Sequence, residues 1–462
     1  MTVADERALV RKIDKRIIPL MFACYSLQYL DKTLVNYANV MGLQKDTNTN
    51  GNQFSELALI FYVSYLAFEL PTGYLMQRLP TAKYLGINVA LWGAMVCCTS
   101  ATRNFGGLVT VRLLLGVFES AVAPALILIS SMWYKRSEQP LRIGLWYVGI
   151  GVGTMVGSIC SFGFQHYHGS AFKSWQIMFL VFGLVTVMVG ILVFFILPDN
   201  PMSSSLDDTE KIWAIERLRE NQTGIENKHF KWAQALECLK DPQTWLICLL
   251  TISSNVPNGA VTSYQATIIK SFGYTSKQTA LLSIPSGAVS CVSVVGATWA
   301  ASRYNFRGPF VIALLSIGII SGCLLAFDTS KLGKLIGNYL TNCIGASLPL
   351  LYSWVAANYA GHTKKVTMNA ILLMSFCLGN IIGPLTFNKD DAPGYLPAKI
   401  TIVVTTAFAV FVTLVLMAYY FFENKRRDRL VGDVSRTDLQ QSESPMITDL
   451  TDKQNMNFRY CL

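Results

Sequence analysis

From Ile400 to Phe422 the chain reads ITIVVTTAFAVFVTLVLMAYYFF, 23 residues without a charge, and then turns at once to ENKRRDR. A helix of about 20 apolar residues crosses the roughly 30 Å hydrocarbon core of a bilayer, whereas a membrane strand needs only about 10. Inside that core each backbone N–H and C=O must be satisfied without water, which leaves the helix as the form for a run of this length. A chain that contains it is held in a membrane. The same alternation of long apolar run and short charged turn recurs along the whole sequence.

Composition agrees. Hydrophobic residues make up 52% of the 462 positions and charged residues 14%, against about 25% charged in a soluble domain. The formal net charge of +10 does not point to nucleic acid, because the basic residues sit in short clusters between apolar runs, as in loops retained on the cytosolic side. Nine of the 11 cysteines (Cys24, Cys97, Cys98, Cys160, Cys248, Cys291, Cys323, Cys343, Cys377) lie inside apolar segments. Their spacing suggests neither a disulfide frame nor a zinc site. The amino terminus, MTVADERALVRKIDKR, lacks a cleavable-signal pattern, so the first span is expected to stay as a signal anchor.

Twelve helices are expected, at about 16–38, 54–74, 84–102, 107–133, 141–165, 175–197, 244–269, 279–301, 309–327, 333–357, 366–387 and 398–422. Alternating the loops puts Arg11, Lys12, Lys15, Arg16, Arg78, Lys83, Lys135, Arg136, Arg142, Arg303, Arg307, Lys364, Lys365, Lys425, Arg426, Arg427 and Arg429 on one side. Fewer bases, partly offset by acids, fall on the other, so the first side and both termini are expected to be cytosolic. The sequon Asn221-Gln222-Thr223 then lies in a cytosolic loop, where it escapes glycosylation. The expected domains are a cytosolic segment 1–15, a six-helix half 16–197, a linker 198–243, a second six-helix half 244–422 and a tail 423–462. Within the linker, Ile212, Ile215 and Leu218 mark an amphipathic helix, for the membrane surface, the bundle or a partner. The polar tail after Leu430 is expected to be disordered.

Two six-helix halves joined by a cytosolic linker match the major facilitator plan, with a mid-membrane site between halves that rock. GYLMQRLPTAKY between spans 2 and 3 and ATWAASRYNFRGP between spans 8 and 9 each place two bases in a tight turn, where the two-fold repeat requires them. FYVSYLAFELPTGYLMQRLP in span 2, RLLLGVFESAVAP in span 4, and NYAGHTKK, GNIIGP and DAPGYLPAKI in spans 10 to 12 resemble the anion:cation symporter family of that superfamily, in its fungal allantoate permease branch. The likeness covers spans 1 to 12. Gln77 stands where many relatives carry aspartate, which puts a gate ion pair there in question. The resemblance implies a substrate among allantoate, ureido acids, small peptides, vitamins and amino acids.

A charge inside a membrane helix is costly and marks a functional candidate with a partner. Arg112 and Glu119 in span 4 share a helix face. They read either as a coupled pair, Glu119 taking a proton and releasing Arg112 for a substrate carboxylate, or as a structural ion pair, with Arg112 near enough to the end to snorkel. Asp31 and Lys32 in span 1 resemble the family's acid–base pair with lysine for arginine. Adjacent helical residues diverge by about 100°, which directs Lys32 to the cavity as an anion contact and Asp31 to a neighbouring helix; an interfacial pair is the other reading. Glu69 in span 2 is either a proton-coupling and gating group or structural.

SSNVPNGAVTSYQ in span 7 is expected to break at Pro257 and Gly259, and broken spans point to transporter sites. Asn255, Asn258, Tyr264 and Gln265 are the substrate candidates there, with a packed kink as the alternative. Asn369 and Asn380 are further candidates. Arg78, Lys83 and Arg303 are read as inner-gate and topology residues. Gly149, Gly153 and Gly157 suit close helix packing, without the Gly-Pro pattern of drug antiporters. His166 and His168 are read as exposed loop residues. No Walker loop, nucleophile elbow or metal motif appears, so neither an enzyme nor a cofactor is expected.

The reading is an all-α, twelve-helix, monomeric carrier in a fungal plasma membrane that imports a small organic anion with protons. A same-fold exporter or vacuolar carrier, or a non-transporting nutrient sensor, remains open.

Overall fold

The computed structural model describes residues 3–49, 51–135, 138–167, 172–219, 231–304, 306–387, 391, 394–433, 450–455 and 458–462. The sequon residues, His168 and the tail from 434 to 449 lie outside these residues.

Helices form twelve rods. Spans 1, 2 and 3 are Val3–Val40, Gly51–Arg78 and Thr81–Thr99. Span 4 is Phe105–Glu119 continued by Val122–Trp133, span 5 is Gln139–Tyr147 with Gly149–Phe164, and span 6 is Ser174–Ile196. In the second half, span 7 is Pro242–Ser271, span 8 is Ser276–Leu282 with Ile284–Tyr304, and span 9 is Gly308–Phe327. Span 10 joins Lys331–Thr341 to Ser347–Asn358 through the short turn Ile344–Ala346, and spans 11 and 12 are His362–Leu385 and Leu396–Asp433. Large apolar side chains such as Phe195, Val292 and Phe411 point outward, as a lipid-facing surface requires.

Among the described residues nine rods are long and apolar enough to cross a membrane on composition alone. The other three are spans 1, 2 and 7. Their apolar runs are interrupted by Asp31 and Lys32, by Glu56 and Glu69, and by Ser253, Ser254, Asn255, Asn258 and Gln265. Polar groups at membrane depth are tolerated where they face the bundle interior, and these three rods line it.

Span 7 corrects the sequence expectation, for its helix runs unbroken through Pro257. A membrane proline is tolerated when neighbours support the freed backbone, and span 11 lies directly alongside. A Cβ on Gly259 would come within 2.7 Å of the Asn380 backbone, and one on Gly383 within 2.4 Å of the Val256 carbonyl. Breaks fall instead in spans 4, 5, 8 and 10. The span 5 glycines serve packing: a Cβ on Gly153 would sit 2.6 Å from the Ser26 carbonyl of span 1.

The halves touch on both sides of the centre. Gly151 of span 5 meets Gly287 of span 8 backbone to backbone. Toward the face that carries both termini, Tyr147 donates to the Gly345 carbonyl at 3.3 Å. On the opposite face Tyr264 and Ser55 share a 2.5 Å hydrogen bond.

Three features lie outside the membrane, and one of them, the packed tail end, departs from expectation. Residues 3–15 continue the span 1 helix, with Glu6 paired to Lys135 at 2.9 Å and Asp14 to Arg142 at 3.3 Å. The linker holds two helices, Asp208–Arg219 and Trp232–Lys240. The first lies on the amino-terminal half, with Arg217 buried against Glu138 at 2.6 Å and Lys12 paired to Glu210 at 2.7 Å. The described end of the tail, 450–455 and 458–462, is packed against the other half, with Asp452 fully buried.

Candidate functional site

Two adjoining cavities lie between the halves and share Lys32, Tyr62 and Thr262. The larger, nearer the face opposite the termini, is bounded by Asn36, Phe54, Phe61 and Arg112. The other has Gln28, Tyr147, Asn258 and Phe376 on its wall.

Lys32 is at the junction. Its Nζ lies 3.0 Å from a Glu119 carboxylate oxygen, with the Glu119 side chain fully buried and that of Lys32 11% exposed. The ammonium is also ringed by aromatics, 5.8 Å from the Phe61 ring centroid, 5.5 Å from Tyr65 and 6.0 Å from Phe376. Phe376 belongs to the second half, so this cation and its cage span the division between halves. Cation–π contacts of this kind gain strength when desolvated.

Glu119 reaches Lys32 because span 4 is pressed onto span 2 and then interrupted. A Cβ on Gly116 would lie 2.5 Å from the Phe61 carbonyl. The break follows directly, where Ser120 bonds the Val117 carbonyl at 2.8 Å and Thr72 at 3.1 Å.

Arg112 does not pair with Glu119. Their Cα atoms are about 10.5 Å apart along the helix, and the Glu119 carboxylate is held by Lys32 at 3.0 Å. Arg112 is buried on the wall of the larger cavity, and its Nη2 has no hydrogen-bond partner. Asp31 turns away from Lys32 and accepts from the Trp92 indole of span 3 at 3.2 Å. Its other oxygen is unbonded, and Arg112 acts on it electrostatically. Glu69 is buried, with one carboxylate oxygen lacking a partner and Lys32 as the cation acting on it.

The span 7 candidates divide. Asn258 faces the cavity and donates to Asn380 at 3.0 Å. Asn255 does not: its amide bonds the Thr251 carbonyl at 2.8 Å, and its Cβ lies against Gly379 of span 11. Gln265 donates to Ser286 of span 8, beyond the cavity. Tyr264 sits at the closure opposite the termini, stacked on Phe387 with centroids 4.4 Å apart. Arg78 is exposed over Tyr74 of its own span, Lys83 donates to the Phe194 carbonyl of its own half, and Arg303 is exposed. In this conformation Arg78 and Lys83 are engaged within their own half and do not bridge a gate.

Sequence reasoning missed Trp92, Tyr62, Asn36, Thr262 and the aromatic cage. Trp92 alone carried a signal, since a buried indole N–H needs an acceptor. The others are ordinary residues of apolar runs, and only the meeting of helices gives them a place.

The sequence matches the Major Facilitator Superfamily model over residues 21–384. The chain belongs to the major facilitator superfamily. Within that superfamily it is 40% identical over 457 residues to the thiamine pathway transporter THI73 of Saccharomyces cerevisiae, covering 98% of this chain and 86% of that one. It is 34% identical to the allantoate permease of the same yeast, over all of this chain and 88% of the permease. These relatives place it in the fungal allantoate permease branch. A bacterial homologue of the human lysosomal transporter Spinster, solved inward-facing and occupied, superimposes with a TM-score of 0.63 at 14% identity, over 87% of this chain and 96% of that one. That likeness concerns the fold alone. The superfamily makes this a multi-pass membrane transporter.

Proposed function

We propose that this transporter imports a small organic anion together with protons by alternating access, in a fungal plasma membrane with both termini cytosolic. One observation carries the reading: Lys32, on the wall shared by both cavities, is neutralised by a fully buried carboxylate, Glu119, at 3.0 Å. An anion that enters the larger cavity meets two cations, Lys32 and Arg112. To take Lys32 it must displace Glu119. An ionised carboxylate left without its partner in a dry site costs several kcal/mol, so release of Glu119 goes with uptake of a proton. Anion and proton then enter together, and the cavity keeps its charge balance.

With Lys32 and its cage at the division, the occupied site lets the halves rock as bodies and open to the other side. Arg112 suits a carboxylate, since its guanidinium stays charged and presents a planar fork of donors. The Asn258–Asn380 amide pair on the far wall adds donors and acceptors for a ureido or amide group. Allantoate, transported by one relative according to its name, combines a carboxylate with ureido groups and fits this set. Glu69 is assigned to the same proton path, because it is buried with one carboxylate oxygen unbonded.

The test is uptake by purified protein in vesicles with an imposed pH step, using labelled allantoate with dipeptides, nicotinate and pantothenate as competitors. Accumulation that follows an inward proton gradient supports the reading. Absence of uptake for every candidate under either gradient direction refutes it.

A further inference from the structure

The tail end, 450–462, is seated as a specific ligand would be. Asp452 is fully buried; its carboxylate pairs with Lys364 at 2.7 Å and accepts from Gln243 at 3.1 Å and from the Tyr460 hydroxyl at 2.7 Å. Arg427 donates to the carbonyls of Asp452 at 3.0 Å and Phe458 at 2.9 Å. Backbone groups of Cys461 are read from both sides: its N–H donates to Asn358 at 2.7 Å, and its carbonyl accepts from Asn358 and Trp354, each at 2.9 Å. The Tyr460 ring stacks on Tyr420 at 5.1 Å. The residues that hold the segment come from the termini-side ends of spans 7, 10, 11 and 12, and Arg307, just before span 9, adds a backbone bond to Leu462 at 2.9 Å.

We propose that residues 450–462 form a detachable clasp, and that the termini-side face of the carboxy-terminal half is a peptide-binding socket built for it. The clasp joins the ends of five spans into one body. Its detachability follows from charge. Lys364 keeps Asp241 at 2.9 Å and Glu237 at 3.0 Å when the segment leaves, and Arg427 keeps Glu423 at 3.2 Å. No buried cation is stranded, so departure avoids the large penalty of an uncompensated charge. Within the segment, Lys453 pairs with Asp241 at 3.2 Å and offsets the third carboxylate that Asp452 brings.

The tether allows it. Residues 434–449 amount to 16 positions, a reach of roughly 50 Å when extended, while the contacts with Arg427 require only a return along the end of span 12. Thr451 supplies a trigger point: its hydroxyl donates to Glu237 at 3.0 Å. A negative charge placed there meets Glu237 and is repelled.

The experiment is site-resolved alkylation of Cys461 by a maleimide in the purified full-length chain, with free peptide 450–462 as the unprotected standard. The seated cysteine is expected to react at least about tenfold more slowly than the peptide, as a closed local structure does, and Thr451→Glu to remove most of that protection. Transport by Thr451→Glu is measured alongside, with Vmax expected to change and the KM for the anion to stay within about twofold, since the cavity is untouched. Wild-type Cys461 that reacts as fast as the peptide, or protection that survives Thr451→Glu, overturns the clasp. So does a KM effect without a Vmax effect.

Discussion

Replacing Glu119 by Gln removes the charge opposite Lys32 and leaves the shape nearly unchanged. At 3.0 Å, and with an effective dielectric constant of about 20, the attraction between the two groups is about 5.5 kcal/mol. Truncating one partner of a buried pair costs about 3–5 kcal/mol, because the other charge is stranded. In Glu119→Gln the stranded group is Lys32, and an arriving carboxylate relieves it without having to displace anything. If only about 1.4 kcal/mol of that relief appears as affinity, the anion binds tenfold more tightly. The variant therefore holds its substrate more firmly yet has no carboxylate to carry the proton. In vesicles, accumulation driven by a pH step is lost while counterflow exchange of labelled for unlabelled anion persists, and substrate raises the melting temperature more than in the parent. Undiminished pH-driven accumulation by Glu119→Gln would refute the coupling scheme.

Tyr264→Phe keeps the stack on Phe387 but loses the 2.5 Å bond to Ser55 that joins the halves opposite the termini. A hydrogen bond of this kind contributes about 0.5–1.5 kcal/mol, so a cysteine introduced as Val35→Cys should be alkylated several-fold faster from outside, and an equal rate would show that the bond does not hold the closure. Gly151→Val brings side-chain atoms to a point where a Cβ already lies 2.3 Å from the Gly287 carbonyl. Overpacking costs about 1–3 kcal/mol or more, and here it falls on the crossing of the two halves; uptake is expected to fail at normal surface expression, and normal uptake contradicts the crossing. Glu6, outside the membrane, has its carboxyl held below the usual value of 4.5, first by its hydrogen bond to Lys135. A depressed carboxyl contributes stability above its unfolded value and loses it as pH falls through the lower folded value. Hydrogen exchange over residues 5–12 should stay constant from neutral pH down to about 4.5 and rise, after correction for the intrinsic rate, only below it; a rise near pH 6 would assign the docking to another group.

The rods themselves were legible in the sequence, since length and absence of charge decide which segments can live in hydrocarbon. Their breaks were not. Pro257 looked like an interruption and is absorbed, because Gly259 and Gly383 let span 11 lie against the helix that carries it. Ser120, an unremarkable residue in the sequence, marks a true break, because Thr72 of another span bonds it. The tail shows the same limit: its composition resembles a disordered segment, yet Asp452 and Tyr460 find their partners on spans 7, 11 and 12.

Sequence alone determined that the chain is a membrane-bound bundle of twelve helices in two halves, and which buried charges demand an explanation. Those properties depend on local composition and period, which each segment carries with it. Only the tertiary structure decided which charge meets which. Lys32 and Glu119 are 87 positions apart in the chain, and their separation of 3.0 Å arises from the approach of spans 1, 2 and 4. Arg112, only seven residues from Glu119, lines the cavity wall without pairing with it.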